Sequence, residues 1–368
     1  RLARQGALEI ELLEHDAAVV DGPPRQQLQA RDQRLGLLPT VGLDDAAYRA
    51  AGAQVVATAA EVYAADLVIK VKELQPAEFA LTHPGQILFC YQHLAPAPAL
   101  LSAMLERSVS CVAYETVTAA DGSLPLLTPM SEIAGRLAPQ AGAWALQMAN
   151  GGSGILLSGV PGVAPGRVVI IGGGIVGMNA AKIAIGMGAD VTVLDRNAER
   201  LRRLDTVFGA RLKTGISDPH SIEALIRDAD LVIGAVLLPG KLSPKLIHRA
   251  DLERMRPGSV IVDVGIDQGG IADTSRPTSH SNPVYVESGV VHYCVPNMPS
   301  AVARTATLAL TQATLPYAVE IASLGLRAAL AADAGLRDGL QVHAGRVTHR
   351  DLAADVGRPY ISAAEMLA

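Results

Sequence analysis

From about Gly42 onward, short apolar runs alternate with segments that mix apolar and polar positions. Asp44–Ala51 reads as a short helix. Asp66–Lys72, Ile87–Tyr91 and Cys111–Glu115 read as strands, and Ala99–Arg107, just after Pro98, as a helix. This β–α–β rhythm implies a parallel sheet. After the loop Asp121–Met130, Ser131 is placed to cap a helix beginning Glu-Ile-Ala. Pro139 inside that helix is expected to kink it. A Gly/Pro-rich connector, Gly151–Gly166, leads into a stricter alternation. Val168–Ile171 and Val191–Leu194 read as strands, each followed by a helix, Ile175–Met187 and Ala198–Phe208. Leu231–Ala235 and Val260–Asp263 are later strands, and Val290–Cys294 is a further candidate. The long apolar stretch Ala301–Leu324 reads as a helix that leaves the second domain and rejoins the first. Residues 1–40 show no sustained period, with Gln and Arg clustered between Pro23 and Arg34, and no element is assigned there.

Composition narrows the function classes. Of 368 residues, 49% are hydrophobic and 18% charged, a globular rather than a disordered balance. The net charge of −5 offers no general attraction to nucleic acid or an anionic membrane, so neither is expected as a partner. Cys90, Cys111 and Cys294 are widely spaced and form no CxxC, so no disulfide framework or metal site is expected. The longest apolar run, Val168–Ala181, holds three consecutive glycines and stops at Lys182, which argues against a membrane span. The chain opens on Arg1, which reads as the start of a fragment. Glu9, Glu11, Glu14 and Asp16 argue against a secretory leader, and a cytoplasmic setting is expected.

The strongest chemical signal is Gly172-Gly-Gly174-Ile175-Val176-Gly177, between an apolar strand and a helix. Gly172, Gly174 and Gly177 match a dinucleotide-binding turn. They permit a tight turn, close approach of a pyrophosphate, and close helix–strand packing. The competing reading is a structural Gly-rich turn. The next strand ends at Asp195, eighteen positions after Gly177, where a carboxylate would accept hydrogen bonds from the adenosine ribose. That carboxylate repels a 2′-phosphate and favours NAD over NADP. Arg196 beside it reads either as a solvated helix-start residue or as a softening influence on that preference.

Other candidates sit near strand ends. Lys70 and Lys72 alternate on a strand, so both would point to one face, either solvated or gripping a carboxylate. His93 follows the strand Ile87–Tyr91 and suits proton transfer near neutral pH, with a solvated or core histidine as the alternative. Asp267 follows Val260–Asp263 as a candidate functional carboxylate. Asp263, within the strand, reads as a structural one. Asn297 lies in another loop after a strand, either functional or simply turn-forming.

Several strings, in this order, resemble alanine dehydrogenase. They are Asp66-Leu-Val-Ile-Lys-Val-Lys-Glu73, Tyr91-Gln-His-Leu94, Ala113-Tyr-Glu-Thr116 and Asp121-Gly-Ser-Leu-Pro-Leu-Leu-Thr-Pro-Met-Ser-Glu132. Ile170–Gly177, Ile261–Gly270, Thr274–Thr278 and Val291–Cys294 follow. The resemblance implies an α/β fold of two Rossmann-like domains with parallel sheets. A nucleotide domain, 128–301, would be inserted into a substrate domain formed by 1–127 and 302–368. It implies NAD-dependent, reversible oxidative deamination of L-alanine to pyruvate and ammonia by a homohexamer. It places a substrate-binding lysine at Lys72, a catalytic histidine at His93 and a catalytic aspartate at Asp267. Ser131, Asp195, Arg200 and Ser217 fall on its cofactor-contacting positions, with Gly172, Gly174, Ile175, Val176 and Gly177 at the phosphates. The Val236–Leu237 and Asn297–Met298 segments flank its nicotinamide and substrate, with Asn297 a substrate-binding position, and Ile266 and Asp267 also fall on cofactor-binding positions. The alternatives are an NAD-binding relative without turnover, the NAD-binding domain of a transhydrogenase and a saccharopine-dehydrogenase-like enzyme.

Residues 1–40 depart from the pattern, because they lack the family's Arg-Val-Ala-Leu-Thr-Pro-like string, whose arginine clamps the substrate carboxylate. Nothing is carried over to Arg25, Arg31 or Arg34. The expectation for this chain is NADH binding with poor or no deamination of L-alanine. Gly265 and Pro296, where the family more often has alanine, and Pro139 are smaller departures.

Overall fold

The computed structural model describes residues 45–236 and 243–367. Leu237 and the arginines at 25, 31 and 34 lie outside them. The chain divides into two compact units. One comprises the described parts of Arg1–Pro129 and Val302–Ala368, and the other is Met130–Ala301. In chain order the strands are β1 (Leu67–Ile69), β2 (Ile87–Cys90), β3 (Ser110–Ala113) and β4 (Arg167–Ile171). Next come β5 (Asp190–Asp195), β6 (Lys213–Ile216), β7 (Leu231–Gly234) and β8 (Val260–Asp263). The last are β9 (Val284–Glu287), β10 (Val290–Tyr293), β11 (Leu340–His343) and β12 (Arg346–Val347).

In the second unit the sheet order is β6-β5-β4-β7-β8-β10-β9. All neighbours are parallel except the β10–β9 pair at one edge. The order reverses at β4, which pairs with β5 on one side and β7 on the other. This is the doubly wound arrangement, with its ligand crevice expected at the carboxyl ends of the strands beside that reversal. Strand β4 shows why the sheet is buried on both faces. Val168 and Ile170 pack with Ala138, Ala180, Ala184 and Leu204, from helices on one side. Val169 and Ile171 pack with Ile222, Ile226 and Leu252, from helices on the other. Alternate side chains leave a strand on opposite faces, so two helical layers need an uninterrupted apolar run.

The first unit has the order β1-β2-β3-β11-β12. Strands β1, β2 and β3 are parallel, whereas β11 is antiparallel to both β3 and β12. The expected parallel sheets are parallel over most of their strands, and each is mixed at one edge. A hairpin return can supply an antiparallel edge strand, whereas a parallel one needs a crossover.

Some element boundaries also move. The expected strand Asp66–Lys72 is strand only over Leu67–Ile69, so Lys70 and Lys72 do not alternate on a pleated face. The helix expected to follow a Ser131 cap instead runs Thr128–Ala145, with Ser131 in its first turn. Pro129 explains the earlier start, since its fixed φ and missing N–H suit a first turn. That helix continues on both sides of Pro139.

Candidate active site

In the second unit, the candidate residues collect at the carboxyl ends of the parallel strands. The glycine turn follows β4, Asp195 ends β5, and Ser217 follows β6. Val236 follows β7, Ile266 and Asp267 form part of a single 3-10 turn after β8, and Asn297 and Met298 follow β10.

The three glycines differ in what they do. Gly172 has φ +106°, and a Cβ there would lie 2.6 Å from the carbonyl oxygen of Ala235. At Gly177 a Cβ would lie 1.8 Å from the carbonyl oxygen of Gly172, so only glycine lets the helix sit against the strand. At Gly174 a Cβ would meet nothing within 4 Å. The protein does not need glycine there for its own packing, which fits a position kept bare for a ligand. Gly174 precedes the helix Ile175–Gly186 without a side-chain cap. The first N–H groups of that helix, including those of Ile175 and Val176, are thus suited to bind an anion.

Asp195 is buried and already employed. It accepts hydrogen bonds from the N–H of Gly173 at 2.7 Å and of Asn197 at 2.7 Å. Arg200 lies 3.5 Å from the same carboxylate. Two carboxylate oxygens offer about four acceptor sites, so ribose hydroxyls can still be bound. Ser217 donates its N–H to the carbonyl of Asp195 at 3.0 Å. Gly135 packs onto the start of the glycine-turn helix, where a Cβ would lie 2.3 Å from the Val176 carbonyl oxygen. Ser131, one helical turn before Gly135, is on the same face.

Asp267 is exposed, and its Oδ2 accepts the N–H of Asn297 at 3.4 Å. Adjacent strands β8 and β10 thus bring the two candidates together. Asn297 has φ +50°, a conformation an Asn tolerates better than most side chains. Its carbonyl accepts the hydroxyl of Ser300 at 2.8 Å, and that hydroxyl also bonds His280. Met298 and Ile266 are buried. Asp263 is a structural carboxylate, bonded through Oδ2 to the N–H of Ile271 at 2.7 Å and the hydroxyl of Ser275 at 2.5 Å. Burial pushes its carboxyl above the usual range.

The first unit has its own cluster, also at carboxyl ends of parallel strands. Lys72 and Glu73 follow β1, His93 follows β2, and Glu115 follows β3. Lys70 and Lys72 part company here. Lys70 is buried and paired with Glu78 at 2.6 Å. Lys72 is half-buried, with no hydrogen bond or ion pair among the described residues. His93 has φ +43°. Its N–H donates to Glu115 Oε1 at 2.8 Å, and the N–H of Gln92 donates to the same oxygen at 3.0 Å. Its ring stacks on Tyr91, and its Nδ1 lies 2.7 Å from Glu73 Oε2. Burial alone would depress the imidazole. The hydrogen bond to Glu73 and the charge of Glu115 outweigh it, and His93 titrates above its ordinary value. Burial likewise raises Glu73, but the bond to His93 and the nearby positive charges bring it down to about 2.

Sequence reasoning missed Glu73 and Glu115 as functional neighbours. Their only signal was position, since each lies just beyond a parallel strand in the family-like strings.

Two family models match the chain. One describes the alanine dehydrogenase/PNT N-terminal domain and covers residues 39–134. The other describes the alanine dehydrogenase/PNT C-terminal domain and covers 138–350. An alanine dehydrogenase of Halomonas elongata is 53% identical over 327 residues, covering 89% of this chain and 88% of that protein. One of Bacillus subtilis is 51% identical, covering 89% of this chain and 86% of that protein. A solved L-alanine dehydrogenase superposes with a TM-score of 0.82 at 49% identity, covering 89% of this chain and 88% of that one. A solved transhydrogenase of Sinorhizobium meliloti, 23% identical with a TM-score of 0.72, shares the fold. With strand-end clusters in both units and half of its residues shared with such proteins, the chain belongs to the alanine dehydrogenase/PNT family.

Proposed function

We propose that this chain is an NAD-dependent alanine dehydrogenase, interconverting L-alanine with pyruvate and ammonia. The observation that carries this reading is the placement of Lys72, which has no hydrogen bond or ion pair among the described residues, beside a carboxylate-bound His93 at strand ends of the first unit. The bare position at Gly174, the uncapped helix and Asp195 fit the pyrophosphate and adenosine ribose of NAD. When bound, NAD accepts the hydride that leaves the alanine Cα.

The remaining chemistry belongs to side chains. Loss of hydride leaves the substrate as an iminium. Water adds to its carbon and gives up one proton; the nitrogen then takes a proton, and the C–N bond breaks as the hydroxyl gives up its remaining proton to form the carbonyl, releasing ammonia. His93 and Asp267 are the groups to hold and return those protons. Lys72 neutralises the substrate carboxylate and favours the negative charge that develops on the forming carbonyl oxygen. Asp267 accepts the Asn297 N–H, which orders the loop assigned to nicotinamide and substrate. No described helix is long and apolar enough to cross a membrane. A cytoplasmic homohexamer completes the reading.

The test is steady-state kinetics of His93→Ala and Asp267→Asn. Each is expected to lower kcat by about 10²-fold or more, the scale of a positioned acid or base. NADH affinity should stay within a few-fold, because neither residue belongs to the glycine turn. Near-normal turnover in either variant removes that residue from the mechanism.

A further inference from the structure

His93 projects from a strained turn, and two glutamates from different strand ends hold it there. Glu115 accepts both N–H groups of the Gln92–His93 turn, which fixes the backbone at φ +43°. Glu73 grips the ring itself, at 2.7 Å from Nδ1. With its pKa brought down to about 2, Glu73 is ionised at neutral pH and can only accept, so Nδ1 must carry the hydrogen. Nε2 has no hydrogen-bond partner among the described residues. The ring is partly open to solvent and lies nearly parallel to the Tyr91 ring, with centroids 6.0 Å apart.

We propose that Glu73 is the positioning residue for His93, holding the ring by Nδ1 so that Nε2 is the nitrogen exchanging protons with substrate. This rests on the assignment of His93 to the reaction. It also gives meaning to the neighbouring Lys72–Glu73 pair, since one short segment after β1 supplies both the ammonium assigned to the substrate and the orienting carboxylate. A carboxylate hydrogen-bonded to the far nitrogen of a catalytic imidazole fixes its tautomer and stabilises the imidazolium.

Among the described residues, the charged groups facing His93 are Glu73 and Lys72 after β1 and Glu115 after β3, and the aromatic on its own segment is Tyr91. The sign follows from them. The glutamates favour the imidazolium and Lys72 opposes it. Removing the Glu73 charge must therefore let His93 lose its proton at lower pH.

The experiment compares the full chain with its Glu73→Gln and Glu73→Asp variants. Histidine labelled with ¹³C at Cε1 is titrated by NMR, with the His93 signal assigned by its loss in His93→Gln. In Glu73→Gln the midpoint should fall by about one pH unit or more, the scale for a neighbouring opposite charge. Glu73→Asp should restore most of it. The alkaline fall of kcat/KM for pyruvate amination, which needs the imidazolium, should move by the same amount. An unchanged NMR midpoint in folded Glu73→Gln overturns the proposal whatever the activity. So does a moved midpoint with an unmoved kinetic limb, because His93 would then not be the group that limits the rate. A moved midpoint in a protein that does not act on alanine would leave the hold on His93 standing. In that case the functional reading is what fails.

Discussion

Replacing Gly174 by alanine separates cofactor binding from folding. At Gly174 the backbone has φ −71° and ψ −160°, which alanine adopts readily. An added Cβ meets no protein atom within 4 Å. The unfolded chain loses freedom on gaining a side chain, so folding should be unaffected or favoured by about 0.4–1 kcal/mol. If a pyrophosphate lies against this turn, the same methyl group overpacks the complex. Overpacking costs about 1–3 kcal/mol, or roughly 5- to 150-fold in Kd. Gly177→Ala is the contrast. Its Cβ would lie 1.8 Å from the Gly172 carbonyl oxygen, so the helix must move off the strand even without ligand. That variant should lose about 3 kcal/mol or more of stability. The assay is NADH titration by fluorescence, with thermal unfolding of each variant alongside. Wild-type affinity in folded Gly174→Ala would refute the reasoning, because the phosphates would then lie elsewhere. Unchanged stability in Gly177→Ala would show that the turn is not packed as described.

Asp195 should give NADH at least about a tenfold advantage over NADPH in Kd, equivalent to 1.4 kcal/mol. Arg200 already lies beside that carboxylate, and equal affinity for the two cofactors would show that an arginine instead serves a 2′-phosphate. The two lysines after β1 should respond differently. Glu78→Gln leaves the buried Lys70 without its anion and should cost about 3–5 kcal/mol, seen as a lower Tm. Lys72→Ala should leave Tm nearly unchanged and raise KM for L-alanine. A Lys72 variant that lost stability instead would assign it a structural part.

The second unit was legible because its signals are local. A strand buried on both faces needs an apolar run like Val168–Ile171, and the spacing of the glycines at 172, 174 and 177 between that strand and its helix is itself a local pattern, with Gly177 set against the Gly172 carbonyl. Edges were less legible. Strands β9, β11 and β12 are short, and what makes them strands is pairing of β9 with β10, of β11 with β3 and of β12 with β11 rather than their own pattern. The first cluster was half visible. Lys72 and His93 stood out by residue type and position, but which lysine is buried depends on Glu78, whose approach no spacing records. The same holds for Glu73. Its bond to His93 spans twenty positions and requires a positive φ at a histidine, which no periodicity announces.

The measurement that bears most directly on the proposed activity is the product balance of the purified chain. It is incubated with L-alanine and NAD at alkaline pH, and NADH, pyruvate and ammonium are each quantified. NADH should appear in equal molar amount with pyruvate and ammonium, and none of the three should form with His93→Ala beyond a small residue of the wild-type rate. NADH without matching pyruvate and ammonium, or full activity in His93→Ala, would contradict the account.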